Sequence, residues 1–145
     1  MIYQKLSQQM IRIALVFLLL VGCSALGIGS VQPKPDETLV GTIAMEERAN
    51  SAQITLKVSN DGQTFESVSF MFTELKCEGF SAGSSYTEVT GIYPITDGKI
   101  EITLSDIGEI NGQFTSPTAA EGTIHLAFYN GQAECGTWKW SATSK

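Results

Sequence analysis

The sequence predicts an all-β domain, an antiparallel β-sandwich of about eight or nine short strands, behind an N-terminal signal segment. Three observations predict it. Apolar and polar residues alternate with a period of two through much of residues 38–145, and Asn/Asp-Gly turn signals separate the alternating runs. No stretch beyond residue 30 carries apolar residues at i, i+3, i+4 and i+7. A small barrel would satisfy the same pattern.

Composition limits the rest. At 145 residues the chain has the size of one domain. With 43% apolar and 17% charged residues it is neither a disordered tail nor a rod. Nine basic residues against 15 acidic give a net charge of -6, which argues against a phosphate-binding face and so against a nucleic-acid partner. One histidine and three cysteines leave little material for metal or acid–base chemistry, and no cofactor is expected.

Residues 1–22 read as a signal peptide. Lys5 and Arg12 make a positive start, and Ile13–Val21 is an unbroken apolar run of nine residues. A membrane-spanning helix needs about 20 apolar residues. The run ends in Leu20-Val21-Gly22-Cys23, which resembles the lipobox of bacterial lipoproteins. The resemblance implies cleavage before Cys23, diacylglycerol on its thiol, and an anchor on the cell or outer membrane, extracytoplasmic side. Ser24 in the next position implies the outer membrane where the host has two. An uncleaved anchor over Ile13–Gly29 and an ordinary secreted chain are the alternatives, and both also place residues 30–145 outside the cytoplasm.

Cleavage removes Lys5 and Arg12, so 9 − 2 leaves 7 basic residues against 15 acidic, a net charge of -8. Anionic headgroups repel such a domain. Residues 23–37, with Gly, Ser and two prolines, read as a flexible tether that holds it off the bilayer.

The domain is expected over residues 38–145, with strands near 38–45, 52–58, 65–73, 74–79, 86–95, 99–105, 109–115, 122–129 and 133–142. Asn60-Asp61-Gly62, Asp97-Gly98 and Asn130-Gly131 are the tight turns. Ser81–Ser85 and Ser116–Glu121 read as looser connections, and Met45–Asn50 is the best helical candidate. Pro94 lacks an amide donor, so its strand belongs at a sheet edge. The mature portion looks like the small β-sandwich domains of bacterial surface lipoproteins, a likeness of pattern that implies no activity.

With Cys23 given to lipid, Cys77 and Cys135 are expected to form a disulfide in an oxidising compartment. Cys135 and Trp138 are an odd number of residues apart, so both face inward only if a bulge occurs at Gly136. No Trp lies between the two cysteines, which departs from the immunoglobulin pattern.

Candidate site residues are few. His125 falls on the polar face of its strand, and Ser84 and Ser85 lack the setting of a nucleophile. Asp61, Asp97, Asp106, Glu109 and Glu121 mark turns but form no calcium-loop motif. Trp138 and Trp140 share one face and read first as core. With Tyr129, and extended by Tyr86 and Tyr93, they could instead form a platform for a glycan or peptide. These features together lead to the expectation of a membrane-anchored lipoprotein, not an enzyme, acting as a structural or interaction module. The alternative is a glycan- or peptide-binding module that uses exposed aromatics or an open strand edge. An envelope protein or a glycan would be the partner.

Overall fold

A computed structural model describes residues 29–145 apart from Asn130. Cys23 and the signal segment lie outside the described residues. Eight antiparallel strands follow one another around a closed barrel: β1 (Thr38–Ile43), β2 (Ser51–Val58), β3 (Thr64–Cys77), β4 (Phe80–Thr96), β5 (Lys99–Leu104), β6 (Gly108–Ser116), β7 (Ala119–Phe128) and β8 (Ala133–Ser144). Each strand pairs with its sequence neighbours, and β1 pairs with β8 from Leu39↔Ser144 to Ile43↔Trp140.

That closure corrects the expected sandwich. Alternation shows that each strand has one buried and one wet face, and this holds equally for two stacked sheets and for one sheet rolled on itself. The β1–β8 pairing decides between them, and it joins residues about a hundred positions apart in sequence. The likeness to sandwich domains therefore does not extend to the fold.

The interior is filled by side chains. Leu39, Ile54, Leu56, Phe65, Phe70, Phe72, Ile100, Ile110, Ile124 and Leu126 are buried along the inward faces. Small residues make room for large ones. Gly112 on β6 pairs with Gly122 on β7, which pairs with Trp140 on β8. A Cβ on Gly112 would lie 2.7 Å from Cζ2 of Trp140, so the indole occupies space that any larger residue would take.

Both ends are covered. At one end Ala44–Asn50 forms a single turn, not a helix, with the Ala49 amide donating to the Met45 carbonyl at 2.9 Å and Met45 buried. At the other end Val31–Glu37, inside the span expected to be tether, is held against the barrel. The Lys34 amide donates to Pro117 O at 2.8 Å, the Asp36 amide to Ser59 O at 2.9 Å, and the Val58 amide to Glu37 O at 2.8 Å. Pro33 is buried.

Asp97-Gly98 turns tightly as expected, both residues taking positive φ, 53° and 72°, which suits a two-residue hairpin, while Asn60-Asp61-Gly62 lies within a five-residue connection, 59–63, and Asn130 of the third expected turn lies outside the described residues. Ser116–Glu121 contracts to a two-residue turn between β6 and β7. The runs 65–73 and 74–79 join into one strand, β3, kinked at Glu74 with φ 54°. Ser81–Ser85 is strand, part of β4.

Candidate functional site

The barrel is joined unevenly. β3 and β4 pair through twelve residue pairs, from Thr64↔Pro94 to Cys77↔Phe80. β4 and β5 pair only at Ile95↔Ile100 and Thr96↔Lys99, around their turn. Beyond the turn the two strands separate, and among the described residues Phe80–Pro94 pairs with no strand other than β3. Along most of its 17 residues one side of β4 therefore has backbone N–H and C=O groups with no strand partner among the described residues. Pro94 sits where the β5 ladder ends, the edge position its missing donor requires.

The lower part of this edge is blunted. Between the pairs Phe65↔Tyr93 and Ser67↔Thr90, β4 carries an extra residue, so Gly91 and Ile92 form a bulge opposite Glu66. The Tyr93 ring lies across Gly91, and Ile92 is 84% exposed. The upper part, Ser81–Thr90, has neither proline nor lysine and a single charge, Glu88. Ser85, Thr87 and Val89 face the barrel side and are half-buried, while Tyr86 and Glu88 face outward. The Tyr86 hydroxyl donates to Glu88 Oε2 at 3.0 Å. Chemically this edge can accept another extended strand, with side-chain recognition by one phenol and one carboxylate.

Cys77 and Cys135 are bonded, with Cα atoms 4.5 Å apart. The bond ties the tip of the β3–β4 hairpin to the start of β8, and the Glu78 amide donating to Glu134 O at 3.0 Å adds to it. Phe80 packs against Phe128 and Tyr129 beside it. Gly136, at φ 98°, lies in a bulge, the first of the two arrangements that parity allowed: Leu126 pairs with Gly136 and Ala127 with Glu134, and Cys135 is buried between them.

The aromatics do not share one exposed face. Trp140 is 3% exposed and its indole N–H donates to Thr123 O at 3.1 Å. Trp138 is half-buried against the core, donating to Cys135 O at 3.0 Å. Tyr129 is exposed at the barrel's end with its edge toward Phe80.

His125 is on the outer face of β7. Its Nδ1 lies 3.2 Å from Thr137 Oγ1 and its Nε2 3.6 Å from Glu134 Oε2, while Glu134 Oε1 also accepts from the Gly136 amide at 2.8 Å. The order hydroxyl, imidazole, carboxylate is present. His125 and Glu134 are more than two-fifths exposed, however, and lie on an open strand surface. Ser84 and Ser85 are on β4, paired with Thr73 and Phe72. The acidic candidates are divided between the ends: Asp61 and Asp97 in turns at one, Asp106 and Glu109 at the other, with Glu121 along β7. Among the described residues no three His, Cys, Asp or Glu side chains are grouped to hold a metal ion.

Sequence reasoning placed 86–95 at an edge through Pro94 but missed that the strand begins at Phe80, because Ser81–Ser85 reads as loop, rich in Gly and Ser. The available signal was the scarcity of charge from Phe80 to Thr96 next to the predicted edge residue Pro94. No family model, no curated protein and no solved structure shows a significant match to the chain.

Proposed function

We propose that this chain is an extracytoplasmic lipoprotein, anchored through Cys23, whose barrel serves as a non-catalytic interaction module and docks partners along the edge of β4. The observation that carries the reading is the long edge Ser81–Thr90, unpaired among the described residues, on a barrel whose interior is already filled with side chains. Partners are then taken on the outside, and a strand edge offers more directional contacts than the scattered outer side chains. The charged leader, the apolar run and Leu20-Val21-Gly22-Cys23 support the anchor. The Cys77–Cys135 bond suits an oxidising compartment. With Val31 onward docked on the barrel, only Cys23–Ser30 is left as tether, a reach of about 26 Å when extended. An anchored barrel would present the end bearing Val31–Glu37 to the bilayer.

Of the two binding readings, the open strand edge is favoured over an aromatic platform, since Trp140 lies inside the barrel.

Two measurements test the proposal. Growth with an alkyne fatty acid should label the protein, and Cys23→Ala should abolish the label; a variant that still labels contradicts the anchor. Amide hydrogen exchange across Ser81–Thr90 should be slower in intact envelopes than in detergent-dispersed protein. Equal rates would remove β4 as a docking edge.

A further inference from the structure

We infer that the partner on the β4 edge is a cationic, amphipathic strand of another envelope protein, with Lys or Arg on its outward face and apolar side chains on its inward face. The inference rests on the docking reading above and adds the chemistry of the occupant. An added strand continues the alternation of the sheet it joins, so its two faces meet different surroundings. The inward face meets apolar surface. β5 as well as β4 has a free side here, since among the described residues Glu101–Leu104 pairs only with β6. Half-buried apolar side chains that rest on the core gather between these two edges. Val89 and Tyr93 come from β4, and Ile107 from the turn after β5. Phe80 and Phe128 meet at the far end. Apolar residues at every second position of an incoming strand would cover this surface.

The outward face meets acid. Glu88 is the only charged residue of β4, and it is exposed. Across from it, β5 and the turn that follows carry Glu101 and Asp106, both exposed. One cation, Lys99, stands against these three acids, and it sits at the closed end where β4 and β5 still pair. The Glu88 carboxylate accepts from the Tyr86 hydroxyl of its own strand, and a carboxylate has room for further donors, so a Lys ammonium or an Arg guanidinium can join it. Tyr86 pairs with Met71 of β3, and the two are 64% and 44% exposed. The methylenes of a long cationic side chain cover such a surface while the charge reaches the acid. A strand bearing Asp or Glu at these positions would be repelled by the same groups.

Two synthetic peptides, (Val-Lys)4 and (Val-Glu)4, presented to the full-length chain in a zwitterionic detergent, test the inference. Neighbouring amides of a strand point to opposite sides, so β3 leaves half of those in Ser81–Thr90 free. At a concentration four times its Kd, (Val-Lys)4 should slow the exchange of these free amides about fivefold, and (Val-Glu)4 should not slow it. Glu88→Gln should weaken (Val-Lys)4 about threefold, the size of one exposed ion pair. Glu121→Gln, exposed on β7, changes the net charge equally and should leave the affinity as it was. Equal effects of the two substitutions overturn the inference, because charge would then act only through the whole molecule. Protection by (Val-Glu)4 as strong as by (Val-Lys)4 overturns it too, as does no protection by (Val-Lys)4. If Ser81–Thr90 is still protected in intact envelopes in those cases, β4 remains a docking edge with an occupant of different chemistry. Unprotected amides there as well would mean that the docking reading itself has failed.

Discussion

Asp61 shows how one side chain sets a turn and a pH dependence together. Its Oδ1 accepts from the Ser59 hydroxyl at 2.6 Å and from the Gln63 amide at 2.9 Å, and the Ser59 hydroxyl oxygen in turn accepts from the Thr64 amide at 3.1 Å. Gly62 follows at φ 73°, with Pro35 packed 3.3 Å from where its Cβ would be. The Ser59 hydrogen bond, followed by that from Gln63, holds the Asp61 carboxyl below its ordinary pKa. Glu37 is lowered in the same direction by Lys34 and Ser144. A carboxyl with a depressed folded pKa adds stability above its unfolded value, about 3.9 for Asp, and that contribution is lost as pH falls through the folded value. The melting temperature should therefore drop from about pH 4 downward. Asp61→Asn keeps an acceptor but cannot titrate, so its melting temperature should fall less steeply over the same range. Parallel curves for the two proteins would show that Asp61 does not contribute to the acid limb.

At the level of elements, the legible features were those set by neighbouring residues. Alternation located the strands, because period two is a local consequence of the pleat. The parity of Cys135 and Trp138 left either a bulge or one of the two facing solvent, and the backbone supplies the bulge at Gly136. Two features were not legible. Val31–Glu37 looks like linker because prolines and polar residues fit a tether as well as they fit a strap over a barrel end. Ser81–Ser85, near the start of β4, looks like a loop because an edge strand can carry little apolar content. The hairpin it belongs to is fastened by Cys77–Cys135, which closes 58 residues. On the chain-entropy account such a loop contributes about 4 kcal/mol. Denatured, unreduced protein should show no free thiol at either position. Cys77→Ser with Cys135→Ser should lower unfolding stability in urea by up to about 4 kcal/mol. The exchange of Cys77–Ser84 amides should rise more than that of β6. A uniform rise across the barrel would contradict the clasp role, as would two reactive thiols in the wild type.

The whole molecule depends on one seam. None of the connections between strands exceeds seven residues, which favours strands that neighbour one another in order, and the two ends of that order then meet at β1 and β8. This signal was present in the sequence, but the meeting itself was not, since no local pattern pairs Gly41 with Ala142. At that pair the strands approach so closely that a Cβ on Gly41 would lie 2.5 Å from Ala142 Cα and nearer still to the Ser141 carbonyl oxygen. Neither obstacle is the movable end of a side chain, so Gly41→Ala must push β1 away from β8. The cost should be at least about 2–3 kcal/mol, in the range of overpacked cores. The loss should appear in tryptophan emission and in far-ultraviolet dichroism at the same urea concentration, because Trp140 lies on the seam opposite Ile43. Gly83→Ala, where a Cβ meets nothing within 4 Å, is the matched control and should shift stability by less than about 0.5 kcal/mol. If Gly41→Ala unfolds at the wild-type midpoint, ring closure is not what holds this barrel together. The weight would then move to the β3–β4 hairpin and its disulfide.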